Sequence, residues 1–406
     1  MPSAAAIRAQ QQNAANEASP LSGASESLLL GTASDIVADV VAKTNLFDAD
    51  RDELFPRFDA EELVLGKVLG RGGFCVVHEV KAVELDASGA GESHEKNSGE
   101  KEPAYTRAFI QARCIRDGEP RYAIKQLSEE SRADKTKLLK GTIDLAVEAK
   151  FLAVLDHPHI IKMRGASSSG PFEPRYYLLL DKLYDTLEVR LRKWGKSETK
   201  TKGVLGKMTG GKKRKDKLTL EKAHVAYDLA TALKFMHEHR IVYRDVKPDN
   251  IGFDVRGEVK IFDFGLAKEL HANEMNDDGT YNLTGFTGSI RYMAPEVANS
   301  QPYSLSADVY SYGMLLWQIF SNEPPFITYS CKMHQELVVE KGYRPAVDPK
   351  WPAAYADLMK NCWDNNPSKR PEFADITEIL SEEALKLAPD EEMSLDMDIS
   401  RRSAGG

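Results

Sequence analysis

Apolar and polar positions change their period along the chain, and each change predicts a different kind of element. From Glu61 onward, LVLGKVLGRGGFCVVHEVKAV sets two apolar runs around a glycine cluster, which predicts strand, tight turn and strand in an antiparallel hairpin. Further strands are predicted at 122–127 and 176–180. Between them Leu145, Ala149 and Leu152 recur with helical spacing before HPHII at 157–161. The second half reads as mainly helical: LEKAHVAYDLATALKFMHEH, DVYSYGMLLWQIFS, AAYADLMKNCW and FADITEILSEEALKL, with short strand candidates at 241–243 and 259–262. Upstream, SDIVADVVAK over 34–43 predicts a short helix with Ile36, Val37, Val40 and Val41 along one face, suited to docking on the main domain.

Composition marks what lies outside this pattern. Residues 1–27 are mostly Ala, Ser, Gln, Asn and Gly, with too few large apolar groups to offset the entropy of ordering, so they are expected to form a disordered tail; 388–406 is expected to be a second one. Residues 86–104 contain no Val, Ile, Leu or aromatic side chain and read as a solvated loop inside an insertion at 84–120. A second insertion, 190–217, carries twelve Lys/Arg against two acids, a local charge of +10, so the rest of a chain of net charge −8 must carry −18. Its GKKRKDK run at 211–217 is open to several readings: a nuclear import signal, a docking site for an acidic partner, a contact for anionic lipid, or a solvated loop. Trp194 is the insertion's one aromatic, so the stacking platform of single-strand nucleic-acid binders is missing.

Cys75, Cys114, Cys331 and Cys362 lie far apart and form no C-x-x-C pair, which argues against a disulfide framework or a zinc ribbon and fits a reducing compartment. No apolar run approaches the roughly 18 residues needed to span a bilayer, and the start lacks the apolar stretch of a secretory signal. The expectation is a cytoplasmic protein without a transmembrane segment, with the nucleus open to it through 211–217.

Three groups of residues carry chemistry. Gly70, Arg71, Gly72, Gly73, Phe74, Cys75 and Val77 sit in or beside the hairpin turn, where residues without a β-carbon let backbone N–H groups approach phosphate oxygens; a bland glycine-rich hairpin explains the same signal, and the following strand disfavours a dinucleotide fold. Lys125 lies on an otherwise apolar strand and needs a partner, for which Glu148 on the next helix is the candidate; alone, the pair reads more readily as an ordinary surface lysine and a solvated glutamate. The strongest signal is YRDVKPDN, residues 243–250, followed eighteen residues after Asp245 by Asp263-Phe264-Gly265. An acid to receive a hydroxyl proton (Asp245), a cation two residues on (Lys247), and an amide (Asn250) plus a second acid (Asp263) for a divalent metal make a complete phosphoryl-transfer set. Ala294-Pro295-Glu296 closes the segment that begins at Asp263, and Arg370 is available to neutralise Glu296.

With these motifs in this order, the sequence resembles a eukaryotic protein kinase across 61–387. The wording RYMAPEV, DVYSYGMLLWQIF and NCWDNNPSKRPEF is similar to the tyrosine-kinase-like group, whose members mostly phosphorylate Ser or Thr. The resemblance implies an α+β, bilobal fold: an amino-terminal β-sheet lobe over 61–182 with one main helix, a mainly helical lobe over 183–387, and the remaining 1–60 as tail and docking helix. It implies ATP and Mg²⁺ as cofactors and protein substrates as partners. Asp245 would orient and deprotonate the acceptor hydroxyl, Lys247 steady the γ-phosphate, Asn250 and Asp263 hold Mg²⁺, and Lys125, fixed by Glu148, grip the α/β-phosphates. Adenine would sit between Leu69, Val77, Ala123 and the connector at 180–183, including Asp181 and Leu183, and Asp308 would brace the catalytic loop.

Lys247 together with Ser289 after Gly288 resembles the serine/threonine pattern, with dual specificity as the remainder. Arg244 beside Asp245 suggests control by a phosphate that an upstream kinase places on the 263–296 segment. Thr280, Tyr281, Thr284 and Thr287 are the candidate hydroxyls, Thr284 and Thr287 favoured by location; nearby Glu274, Asp277 or Asp278 offer the bland alternative. Three positions depart from the family's pattern. Cys75 replaces a glycine of the loop and is read as a packed thiol rather than a redox site, Tyr243 stands where histidine is commonest, and Gly252 thins the pocket wall beneath adenine. The rival reading is a catalytically silent nucleotide-binding scaffold.

Overall fold

A computed structural model describes residues 25–44, 46–47, 54–85, 106–202 and 211–387, with backbone alone at 200–202 and 211–215. The expected tails and the polar loop at 86–104 thus fall wholly or largely outside the described residues. The chain divides into two compact units, 1–156 with 162–182, and 157–161 with 183–406.

The first unit is built on a six-stranded sheet in the order β1-β7-β8-β6-β3-β2. β2 (Leu63–Arg71) and β3 (Cys75–Val83) form the hairpin around the glycine turn, β6 (Tyr122–Leu127) pairs antiparallel with both β3 and β8 (Tyr177–Asp181), and β7 (Met163–Ser167) follows β8. β1 (Arg57–Phe58) joins the edge parallel to β7. Its residues belong to the domain and not to a tail: Phe58 is fully buried, Tyr177 Oη donates to its carbonyl at 2.7 Å, and Gly165 leaves the room, since a Cβ there would lie 2.7 Å from Pro56 O.

Helix α1 (Glu26–Lys43) starts eight residues earlier than its apolar pattern indicates, because Ser25 caps it by accepting from Leu28 N. It buries Leu29, Ala33 and Val37 at a four-residue interval and leaves Ile36 and Val40 exposed, so the predicted face is rotated. In the insertion at 84–120, the described residues 106–120 carry secondary structure. α2 (Arg107–Ala112) and the hairpin β4 (Ile115–Arg116) to β5 (Glu119–Pro120) end it, and Ile110 and Cys114 enter the same core as Phe58, Val80 and Leu179. After β6 come the short α3 (Glu129–Ala133) and α4 (Lys135–Val154), against which α1 packs.

In the second unit, β9 (Asp185–Thr186) leads into α5 (Leu187–Lys202), then α6 (Gly211–Glu238), β10 (Ile241–Val242), β11 (Ile251–Phe253), β12 (Val259–Ile261) and β13 (Lys268–Glu269). The insertion at 190–217 is therefore two helix ends and not a loop over its described residues. Leu191 and Trp194 are buried, and Lys222 reaches Glu198 at 2.6 Å and the Phe320 carbonyl at 3.2 Å. α7 (Pro295–Ala298), α8 (Ser306–Ser321), α9 (Cys331–Met333), α10 (Ala353–Cys362) and α11 (Phe373–Leu387) complete the unit; α8 is buried at almost every position, as befits a core helix.

After α9 the chain widens into a π-helix over His334–Glu340. His334 is buried beside Phe326, and burial, reinforced by Arg291 and Arg344, pushes its pKa down to about 4. The folded imidazole therefore stays neutral at pH values where the unfolded one, titrating near 6.5, takes up a proton. Its contribution to stability is full above about pH 6.5 and is lost as pH falls toward 4, by about 3 kcal/mol in all. Urea unfolding at pH 7 and pH 4.5 is expected to show this loss, and His334→Phe to remove that share of the slope; equal slopes for both chains would refute the assignment.

Candidate functional site

The β11–β12 hairpin is what gathers the key residues of the second unit. Ile251 pairs with Ile261, so Asn250, just before β11, and Asp263, just beyond β12, come to the same end of the ladder. Phe262 N–H donates to the Asn250 carbonyl at 3.1 Å, and Asp263 takes a left-handed backbone, φ +69°. Asp245 stands at the centre. Its Oδ2 accepts from Lys247 Nζ at 2.6 Å and Asn250 Nδ2 at 2.8 Å, and its Oδ1 from Ser289 Oγ at 3.3 Å. Asn250 Nδ2 also donates to the Asp245 carbonyl at 3.1 Å, so the amide is oriented by two bonds. With its nitrogen so used, the Asn250 amide offers an oxygen, and with the Asp263 carboxylate the donors fit a hard divalent cation.

The loop is held from beneath by Asp308, fully buried on α8. Its Oδ2 accepts from Tyr243 N at 2.7 Å and His237 Nε2 at 3.1 Å, and its Oδ1 from Arg244 N at 2.8 Å. Tyr243 packs edge-on against Phe264, centroids 5.4 Å apart, and its hydroxyl donates to the Phe262 carbonyl, so it joins the loop to the segment that carries Asp263. Further on, Arg370 meets Glu296 in a buried fork of 2.6 and 3.0 Å and also donates to the carbonyls of Ser306 and Asp364.

In the first unit, Lys125 Nζ lies 2.5 Å from Glu148 Oε2, and the glutamate is almost wholly buried on α4. Leu69, Gly70 and Arg71 end β2, Gly72 to Phe74 form the turn, where Gly72 N–H donates to the Cys75 carbonyl at 2.8 Å, and Cys75 and Val77 begin β3. Register places Val77 opposite Lys125 and Glu79 opposite Ala123.

A model of the protein kinase domain matches residues 110–383 of the chain. The chain belongs to the protein kinase family. Among its relatives, serine/threonine-protein kinase STY17 of Arabidopsis thaliana is 34% identical over 167 residues, 41% of this chain and 28% of the relative. Dual specificity protein kinase shkB of Dictyostelium discoideum is 31% identical over 233 residues, 57% of this chain and 32% of the relative. Serine/threonine/tyrosine-protein kinase HT1 of Arabidopsis thaliana is 29% identical over 254 residues, 62% and 56%. The chain spans less than two thirds of the length of each.

Tyr243 apart, two positions depart from the kinase pattern, Cys75 and Gly252, and Arg244 is the residue read as a phosphate sensor. Cys75 is a buried thiol paired in register with Leu127. At Gly252 a Cβ would lie 2.6 Å from Leu183 Cδ1 and 3.2 Å from the Asp185 carbonyl, so Leu183 occupies the space a side chain there would take. Arg244 has no acidic partner among the described residues. Its guanidinium donates to the Leu266 carbonyl at 2.5 Å and reaches Tyr303 Oη at 3.4 Å, while Glu274 lies near Lys268 and Asp278 accepts from Thr280.

The sequence reading missed His237 and Tyr303, whose partners are seventy and sixty residues away, and it missed the ion pairs of Asp181 and Lys182. Asp181 is gripped by Arg164 through two 2.8 Å bonds, so its carboxylate is already engaged.

Asp308→Asn puts an amide NH₂ where two backbone donors and an imidazole converge. It is expected to cost about 3 kcal/mol, because a buried N–H loses its acceptor, and to speed amide exchange at Tyr243 and Arg244. Urea unfolding with exchange mass spectrometry checks both; unchanged exchange at these amides would refute the bracing role.

Proposed function

We propose that this chain is an active protein kinase that transfers the γ-phosphoryl group of ATP, with Mg²⁺, to Ser or Thr hydroxyls of protein substrates. The observation that carries the reading is the convergence on one carboxylate: Lys247, Asn250 and Ser289 all donate to Asp245. Phosphoryl transfer needs little covalent help from a protein, so positioning and charge neutralisation supply most of the rate, and this cluster offers both.

In this reading Asp245 accepts the proton of the attacking hydroxyl and holds it in line, while Lys247, already 2.6 Å away, carries the positive charge to the transferred group. Asn250 and Asp263 would hold the metal, which supplies charge neutralisation at the phosphates when bound. Lys125, kept in place by the buried Glu148, would meet the α/β-phosphates, and Leu69, Val77, Ala123 and Leu183 the base. The N–H of Leu183 has no protein acceptor among the described residues, which suits a backbone bond to adenine. Ser289 beside Asp245 supports Ser/Thr acceptors. The silent-scaffold alternative rested on Cys75 and Gly252, and neither removes a charge that the chemistry uses.

Regulation follows from Arg244, whose partners are neutral oxygens. Thr284 is exposed, and its carbonyl accepts from Tyr303 Oη, the same phenol that Arg244 reaches. Tyr281 is buried with Arg240 donating to its hydroxyl, and Thr280 is tied to Asp278. Thr284 is therefore the preferred hydroxyl for an upstream kinase, ahead of Thr287, whose hydroxyl donates to the carbonyls of Thr284 and Gly285.

Radiolabelled transfer from ATP to a generic basic protein is expected for the native chain and at least about 10²-fold weaker for Asp245→Asn, the usual reach of a general base. Mass spectrometry of the products is expected to place phosphate on Ser or Thr. Equal background from both chains would end the enzyme reading, and phosphotyrosine as the main product would end the Ser/Thr assignment.

A further inference from the structure

Two charged residues that the transfer chemistry leaves unused are buried together at the end of β8. Lys182, the last residue of the first unit, is 5% exposed, and its ammonium lies 2.6 Å from Glu79 Oε1. Glu79, 6% exposed, sits in the middle of β3, and its hydrogen bond from Lys182 holds the carboxyl below the usual carboxylate range in spite of burial. Glu79 is two residues from Val77, so both point to one face of the sheet, and their register partners, Ala123 and Lys125, share it. Strand β2 gives up a side chain at this point: a Cβ on Gly66 would lie 2.8 Å from Glu79 Oε2.

The backbone around Lys182 is fixed as well. Asp181 N–H donates to the Lys162 carbonyl at 3.0 Å and Lys182 N–H to the Arg121 carbonyl at 2.8 Å, with Asp181 held by Arg164. Stability alone does not call for an ion pair here, because removing two charges from water costs several kcal/mol each and an apolar pair of equal volume serves as well. What the pair adds is a defined distance and direction between β3 and the end of β8.

We propose that Glu79 and Lys182 are positioning residues for the adenine base: the pair sets the Asp181–Lys182 backbone, at the end of β8, at the level of the Val77 and Ala123 face. This rests on the reading of that face as the ATP site. The test separates base from phosphate. Lys182→Met is expected to raise the KM for Mg-ATP about tenfold, with kcat within about twofold, as loss of uniform binding predicts, and to leave inhibition by inorganic tripolyphosphate, which has no base, unchanged. The exchanged pair Glu79→Lys/Lys182→Glu is expected to recover most of the KM. An unchanged KM, equal weakening of ATP and tripolyphosphate, or no recovery in the exchanged pair would overturn the proposal. Where Lys182→Met does not fold, the exchanged pair decides: a near-native KM supports it and a tenfold rise overturns it. A native chain that binds no ATP would overturn the reading of the site; the pair is then judged by amide exchange at 181–184, expected to be faster in Lys182→Met, with unchanged exchange overturning it.

Discussion

One buried carboxylate sets the shape of the catalytic loop. Asp308 is fully enclosed, and a charge in that position survives only because three donors, two of them backbone N–H groups, close around it. Arg244 is thereby held at φ +70°, a conformation that a non-glycine residue adopts only under such constraint. The turn delivers Asp245 to Lys247, Asn250 and Ser289. It also fixes the surface on which Gly288 rests: at φ +91°, a Cβ there would lie 2.4 Å from the Arg244 carbonyl, so glycine alone fits. Loop, core helix and the segment ending at Glu296 are thus one mechanical unit.

The same logic governs the other buried charges. Glu296 with Arg370, Glu148 with Lys125 and Glu79 with Lys182 each join elements far apart in sequence, and each would leave an expensive uncompensated charge if one partner were lost. Against this background Arg244 is distinctive, since a carbonyl and a phenol satisfy its hydrogen bonds and leave its charge unneutralised. Neutral partners hold a guanidinium in place without competing strongly with a dianionic phosphate, which is what a switch built on charge requires.

Much of this was legible in the sequence because the chemistry is local or the pattern strong. Asp245, Lys247 and Asn250 lie within six residues, and Asp263 returns through a short hairpin, so spacing implied proximity. The apolar runs on either side of the glycine cluster in β2 and β3 and the apolar length of α8 likewise indicated their type. What was hidden depends on long-range partners or on small residues. α1 begins in a stretch rich in Leu, Gly, Thr and Ser that reads as tail, and only Ser25 acting as a cap starts it early. Phe58, Ile110 and Cys114 sit in segments of mixed polarity, and their burial follows from the sheet edge they cover. Trp194 and Lys222 turn a basic insertion into two packed helix ends through contacts that charge counting cannot reveal. The ion pair of Asp181 was hidden in the same way, since Arg164 lies seventeen residues away on another strand.

The departures from the family's pattern show why a motif is better judged by atoms than by letters. At Gly252 the space of the missing side chain is taken by Leu183, a residue of the connector. At Tyr243 the ring packs on Phe264, and its hydroxyl adds a bond to the Phe262 carbonyl that ties the loop to the segment that carries Asp263. At Cys75 the thiol is buried beside Leu127, on the same face of the sheet as Val77, where a small side chain is accommodated. At Gly252 a neighbour takes up the missing volume and at Tyr243 the new ring does the packing, whereas no neighbour could replace the charges of Asp245, Lys247 or Asp263. A chain that varies the first kind of position and keeps the second has preserved the electrostatics on which phosphoryl transfer depends.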